Sequence, residues 1–524
     1  MRTQIWNLSG SKQQVSSLRS GLPRFDNKSM IPEIVNLNIL QMNDTYEINS
    51  LEGGLRGGLA RIDTLKQELC QLNYNTYTIL SGDFISPSAL GNAKIHGIPL
   101  AGQQMVDVLN SLGVDYAIFG NHEFDIPENL FYQRLKESCF RWFSGNVSDR
   151  NGQPFPKVSR FITFDVKNNY KTIVRVGLVG VTTNSNNANY VTYTDPINTA
   201  NQQAKFLRDK VDILIAVTHL PIEDDCKLAS VTPEIDLILG GHDHKAMKKQ
   251  IRNFAPIFKS DVNARSVYVH QLSYNTIKKN LEIQSYLVPI TEKIPENQDT
   301  KKIVEEWLKR GYDGFRANGF NPDRKIVKLA VALNGLESTI RNKPTILTKL
   351  IAKSMIQETG EADLAVFNSG SIRIDRVIPP SWITEYDVIR ILPFEEEKVL
   401  LLEITGNLLK NILKQGEDNK DTGAYLQTYN VIWHPGSKNW LINGQTLNAK
   451  KRYKIAVNTF LVSGKERNLN FLNVDHPELN IIRQKRDMRF ALIEQLALLQ
   501  PMSENPHSVR VIKKLAKVLL NEWY

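Results

Sequence analysis

Five times along this chain a short apolar run of strand character ends on a residue able to bind a metal ion. Residues 36–43 (NLNILQMN) lead into Asp44, and 76–81 (TYTILS) into Gly82-Asp83. Residues 115–120 (DYAIFG) lead into Asn121-His122, 211–218 (VDILIAVT) into His219, and 235–240 (IDLILG) into Gly241-His242-Asp243-His244. Between them, 59–72 (LARIDTLKQELCQL) and 102–112 (GQQMVDVLNSL) carry apolar residues at three- and four-residue spacing, which predicts helices. Strands alternating with helices give a layered α/β domain, and ligands of an open α/β sheet collect outside the carboxyl ends of its strands. Five such ends can converge on one crevice. A cluster of Asp, Asn and His is the ligand set of a hydrolytic site with two divalent metals. The chemistry expected is that of a phosphoesterase.

Each signal is weak by itself. Gly82-Asp83 suits a turn with Asp as a helix cap, and Asn121-His122 suits ordinary turn chemistry. The Gly241-His242-Asp243-His244 run is sharper, because packing hardly explains two imidazoles one residue apart on a glycine-preceded turn. His122, His219, His242 and His244 are four of the nine histidines. His96, His270, His434, His476 and His507 are read as structural.

A chain of 524 residues is too long for one core and predicts two domains. The first α/β pattern spans 36–292. Residues 293–324 form a linker, opening on the charged, proline-broken KIPENQDT and continuing as a helix through Lys309. A second α/β pattern spans 325–524, with helices over 346–358 and 404–414, a strand over 362–367, and strands near 425–433 and 452–458. Helices over 483–499 and 508–523 close the chain. Residues 184–196 (NSNNANYVTYTDP) read as a surface loop. Residues 1–35 read as a flexible lead-in lacking the apolar segment of a secretory signal. The expected location is therefore cytoplasmic, with export by a route that reads no such signal as the alternative. Cys70, Cys139 and Cys226 show neither metal spacing nor a disulfide framework. The net charge of +10 favours anionic ligands such as nucleotides. The basic residues are dispersed, so neither nucleic acid nor membrane is an expected partner.

In order, Asn43-Asp44-Thr45-Tyr46, Ser81-Gly82-Asp83, Gly120-Asn121-His122-Glu123-Phe124-Asp125, Thr218-His219 and Gly241-His242-Asp243-His244 resemble the blocks of the 5′-nucleotidases. These are two-domain members of the dinuclear metallophosphoesterases. Asn368-Ser369-Gly370-Ser371-Ile372-Arg373 and Leu392-Pro393-Phe394 resemble that family's nucleotide-binding blocks. The resemblance implies an α/β fold, with an N-terminal metallophosphoesterase domain and a C-terminal nucleotide-binding domain. It also implies hydrolysis that releases phosphate from nucleotides. By the same resemblance Asp83 would bridge two divalent ions (Mn, Zn, Mg or Fe). Asp44 and His244 would complete one site, and Asn121, His219 and His242 the other. His122 would act on the phosphoryl group, oriented by Asp125. Phe394 and Phe460 would sandwich the base, with Arg341 and Arg373 facing phosphate or carboxylate. Asn368, Gly370 and Glu466 would line the nucleotide pocket.

The chain departs from the family pattern in several places. Tyr46 stands where an imidazole is expected; its phenolate could ligate, water could replace it, or the first metal site could be lost. Gly464-Lys465-Glu466-Arg467 replaces a glycine-rich loop, Glu396 replaces an asparagine, and Glu337 an arginine. These differences leave two alternatives to simple phosphate release. One is hydrolysis of nucleotide sugars or cyclic nucleotides; the other is a catalytically impaired protein that binds nucleotides or a partner.

Overall fold

The computed structural model describes residues 32–186, 188–395 and 397–499. Two compact units meet in sequence between Gly311 and Tyr312, inside the helix Gln298–Ala317. The lead-in through residue 31, Glu396 and the helix expected over 508–523 lie outside the described residues.

In the first unit, two sheets share one core. The seven-stranded sheet runs Val158–Ser159, Arg141–Phe143, Tyr116–Ile118, Thr76–Ser81, Ile34–Met42, Ser266–Asn275, Asn280–Pro289. Its first five strands are parallel, and the last two turn antiparallel. The six-stranded sheet holds Ile173–Thr182, Ile213–His219, Leu237–Gly240 and Ile257–Lys259 in parallel, with an antiparallel strand on either side. Leu37, Ile39, Ile79 and Ile118 of one sheet pack in the same core as Val176, Ile215, Val217 and Leu239 of the other. The alternate residues Leu214, Ala216 and Ile238 face outward, against Ala200, Ala204 and Leu207 of the helix Pro196–Arg208. Strands buried on both faces need apolar residues at every position, which is why ILIAV reads as an unbroken run.

Parallel register aligns the carboxyl ends within each sheet, pairing Met42 with Leu80, Ser81 with Ile118, and Thr218 with Gly240. Hydrogen bonds between the sheets fix the ends of one against the other. Gln41 Nε2 donates to Gly240 O (3.0 Å) and Phe258 O (2.9 Å), and Ser81 Oγ donates to Leu239 O (3.0 Å). All five ligand-bearing ends thus open on one side of the sandwich.

The helices expected over 59–72 and 102–112 are Leu59–Leu72 and Gln103–Leu112. The stretch read as a linker contributes a helix that docks on the first unit. Thr300 Oγ1 donates to Asp63 (2.6 Å) and Trp307 Nε1 to Asp107 (2.8 Å). The stretch 184–196 is not loop throughout. Val191–Tyr193 pairs antiparallel with Val147–Asp149, and Asp195 caps the helix that Pro196 begins.

In the second unit a five-stranded sheet runs Leu426–Tyr429, Leu364–Asn368, Arg452–Asn458, Lys398–Thr405, Leu479–Asp487. Leu408, Leu409 and Ile412 of the helix Gly406–Asp418 pack into its core. The helix expected from residue 404 starts later, because Ile404 still belongs to the strand and Thr405 caps the helix. The helix expected over 483–499 is also corrected: Leu479–Asp487 is a strand on Lys398–Thr405, and only Met488–Ala497 is helical. Asp487 accepts the Arg489 N–H and marks the true start. No helix among the described residues is long and apolar enough to cross a membrane.

His270 occupies the structural role expected of it. Its Nε2 donates to Gln41 Oε1 (2.9 Å) and its Nδ1 accepts from Ser285 Oγ (2.8 Å), because Gln41 is oriented by its own two donations. Burial pushes this imidazole from 6.5 down to about 3. Between those values the unfolded chain holds a proton that the folded chain refuses, so stability rises with pH across that window. Acidification from pH 7 to 5 is expected to cost about 2 kcal/mol at this residue. Urea denaturation at both pH values should therefore show a smaller acid loss for His270→Gln than for the wild type.

Candidate metal centre

The turns after the strands hold several candidate ligands in left-handed backbone: Asp44 (φ 49°), Asp83 (φ 57°), His242 (φ 82°) and His244 (φ 57°). Such a conformation costs a non-glycine residue about 1 kcal/mol or more and persists only where the surroundings impose it. Gly82 makes the approach possible, since a Cβ there would meet the Gly120 nitrogen at 2.5 Å.

Asp44, Asp83 and His219 are buried, and their ligand atoms lie within 4.8 Å of one another. Asp83 Oδ1 accepts the backbone N–H of His122 (2.8 Å), while Oδ2 lies 3.2 Å from His219 Nε2. Asp44 Oδ2 accepts the His242 N–H (2.9 Å), and Oδ1 lies 3.3 Å from His244 Nε2. The His242 ring sits edge-on to that of His219 at 5.3 Å. Asn121 adjoins the cluster, its Oδ1 buried and without a hydrogen-bond partner. Tyr46 donates its hydroxyl to Asp83 Oδ2 (3.0 Å) and lies 3.3 Å from His244 Nε2. Burial, then Asp83 and Asp44, raise the phenol well above its usual value, so in this arrangement it is a neutral donor.

Burial disfavours the charge on both carboxylates, yet both are held below the ordinary range. His219 and His244 face Asp44; His219 and His122 face Asp83. Burial likewise lowers His219, but Asp83 and Asp44 reverse this and push it up to about 9. His242 goes the other way, down to about 4, through burial and the neighbouring His219.

His122 stands at the edge of the cluster, with Nε2 4.0 Å from Asp83 Oδ2. Its Nδ1 bonds Asp125 Oδ2 at 2.6 Å. Asp125 Oδ1 accepts from Asn186 Nδ2 (2.8 Å), which also donates to Asn121 O (2.9 Å). Asn186 Oδ1 accepts the Ala188 N–H (2.9 Å), which settles the orientation of the amide. Asn186 was not singled out in the sequence, where it lies in a polar stretch of four asparagines. Glu123 was noted only as a letter of its block, yet it is buried and accepts the N–H groups of Asp83, Phe84, Ile85 and Gly120. Lys259, fully buried, escaped notice too. A lysine inside the apolar run APIFKS is the signal that could have found it.

In the second unit Asn368 ends a strand, its Oδ1 accepting from Ser371 Oγ (2.8 Å) and Asn458 Nδ2 (3.0 Å). Gly370 donates its N–H to Gly423 O (2.7 Å), close to another backbone. Arg373 lies over the half-exposed Phe394 ring at 5.5 Å. Glu337 pairs with Arg341 (2.5 Å) and lies 3.9 Å from Arg373. Phe460 opens a short turn, its N–H directed to Glu397 (3.4 Å). Glu466 is buried, accepts from Asn368 and the Arg467 N–H, and is raised by that burial.

Residues 37–246 match the calcineurin-like phosphoesterase family, and residues 325–473 match the 5′-nucleotidase C-terminal domain. The chain belongs to the two-domain 5′-nucleotidase family of metallophosphoesterases. It is 24% identical over 513 residues to the trifunctional nucleotide phosphoesterase protein YfkN of Bacillus subtilis, covering 84% of this chain but only 33% of that longer protein. It is 24% identical over 496 residues to protein UshA of Yersinia enterocolitica, covering 82% of this chain and 85% of the relative. The fold resembles that of a 5′-nucleotidase precursor from Thermus thermophilus, with a TM-score of 0.70 at 19% identity over 89% of this chain and 97% of the other.

Members of this family are hydrolases of phosphoester bonds that use divalent metal ions. The residues present fit such ions. His219 Nδ1 donates to Ser81 O (2.8 Å), which turns Nε2 into the cluster, 3.2 Å from Asp83 Oδ2. A buried pocket that draws a proton onto an imidazole is short of positive charge. Two carboxylates, an amide oxygen and imidazoles are the donors a hydrolytic divalent ion takes.

Proposed function

We propose that this protein releases phosphate from nucleotides with two divalent ions held by Asp44, Asp83, Asn121, His219, His242 and His244. The observation that carries the reading is the buried cluster of Asp44, Asp83 and His219, whose ligand atoms lie within 4.8 Å of one another. It sits in a chain whose second domain is of the 5′-nucleotidase type. The names of the similar proteins, a nucleotide phosphoesterase and several 5′-nucleotidases, support a nucleotide as substrate.

When bound, divalent ions supply Lewis-acid stabilisation of phosphoryl oxygens and lower the pKa of water. The chain supplies the rest. Asp83, contacted by the His122 N–H and by His219, would help hold the ions and offset part of their mutual repulsion with its negative charge. His122 donates to a phosphoryl oxygen or to the leaving oxygen, while Asp125, steadied by Asn186, aims its ring. In the second domain Phe394 and Phe460 supply stacking surfaces that tolerate different bases, and Arg373 offers a guanidinium beside one of them.

Phosphate release from a panel of nucleoside monophosphates, nucleotide sugars and cyclic nucleotides, with Mn²⁺, Zn²⁺, Mg²⁺ or chelator, tests the reading. Turnover that requires metal, stops on chelation and favours monophosphates is expected. Nucleotide binding with no turnover under any metal would replace the enzyme by a binding protein.

A further inference from the structure

Lys259 is the last residue of the strand Ile257–Lys259, and its side chain is wholly buried. Its ammonium group donates to Leu220 O (2.5 Å) and Gly241 O (2.8 Å), and pairs with Asp225 Oδ2 (2.7 Å) and with Asp243. The position of each acceptor matters. Leu220 follows His219; Gly241 precedes His242; Asp243 stands between His242 and His244. Asp225 in turn accepts from Thr218 Oγ1 (2.6 Å), the residue before His219. One cation therefore joins the turn that carries His219 to the turn that carries His242 and His244. The packing is close on the backbone side as well, since a Cβ on Gly240 would meet Lys259 Cε at 2.8 Å and Asp225 Oδ2 at 3.0 Å.

We propose that Lys259 is a positioning residue for the metal centre: it sets the spacing of the three imidazoles by clamping both ligand turns from beneath. The inference rests on the reading of the cluster as a metal site. A buried ammonium must satisfy three N–H donors, and here three of the four acceptors are sequence neighbours of a candidate ligand while the fourth lies six residues after one. His219 is held by its strand ladder, but His242 and His244, in left-handed backbone, have no such ladder, so their position relative to His219 depends on such cross-links.

Two variants test it in the full chain. Lys259→Met/Asp225→Asn removes the clamp and its nearest counter-charge together. Gly240→Ala keeps every charge and displaces the lysine, whose flexible stem can give way without unfolding the strand. Mn²⁺ affinity is measured by titration of the metal-free protein, beside the melting temperature of the same sample. Folded protein with affinity reduced ~10–100-fold is expected, the size of an outer-shell loss. A lowered melting temperature with affinity within about twofold of wild type would make Lys259 a structural residue and overturn the proposal. If the double variant does not fold, Gly240→Ala alone decides. Wild-type protein that binds none of Mn²⁺, Zn²⁺, Mg²⁺ and Fe²⁺ would overturn the metal reading, and this inference with it.

Discussion

Replacing His122 by alanine is expected to lower turnover by ~10²–10⁴-fold, the range for loss of a positioned proton donor. The fold should be unaffected, because the side chain is partly exposed and bonds Asp125, itself near the surface. The tie from this residue to Asp83 is made by the backbone N–H, which alanine retains, so the anion at the heart of the cluster keeps its place. The effect should appear in kcat measured by phosphate release, with the melting temperature unchanged. Asp125→Asn should produce part of the same loss, and the double variant little more than His122→Ala, since the two act as one unit. A loss of less than about tenfold would remove His122 from the chemistry.

The second large effect is on stability. Glu123 is fully buried, and four backbone amides converge on it. Oε1 takes the N–H groups of Phe84 (2.8 Å) and Ile85 (3.1 Å), while Oε2 takes those of Asp83 (2.9 Å) and Gly120. Burial and the nearby Asp83 push this carboxyl up to about 7, so the site strains its own support. Leucine at this position would leave all four donors unpaired at about 1–3 kcal/mol each, a loss on the order of 4 kcal/mol or more. Glutamine keeps one acceptor oxygen for Phe84 and Ile85 but turns an NH₂ toward the other two donors, so about half the loss is expected. Urea denaturation of the two variants would show that order. Equal stabilities for leucine and glutamine would mean that the amides find other partners.

The candidate ligands were legible because ligation demands particular side chains, and strand ends are where such side chains can meet. What supports them was far less legible. The partners of Glu123 are backbone amides, which leave no letter in a sequence. The four acceptors of Lys259 are drawn from residues 220–243, and only the pairing of parallel strands brings them under one ammonium group. Asn186 is one amide among several in its stretch, distinguished only by the neighbour that fixes its orientation. In the fold, the two shifted helix starts have different causes. Ile404 lies at the end of a strand and its apolar side chain continues the helical spacing, whereas 483–487 (RQKRD) is an all-polar end of an edge strand, set apart from the helix beyond only by its pairing with Lys398–Thr405.

The backbone at Asp44, Asp83, His242 and His244 has an evolutionary consequence. Each is a position that glycine or asparagine would occupy with less strain, so selection for stability alone pulls all four away from metal binding. A lineage released from catalysis should lose these letters early and grow more stable as it does so. Their joint presence here is what the proposed metal site would require against that pull.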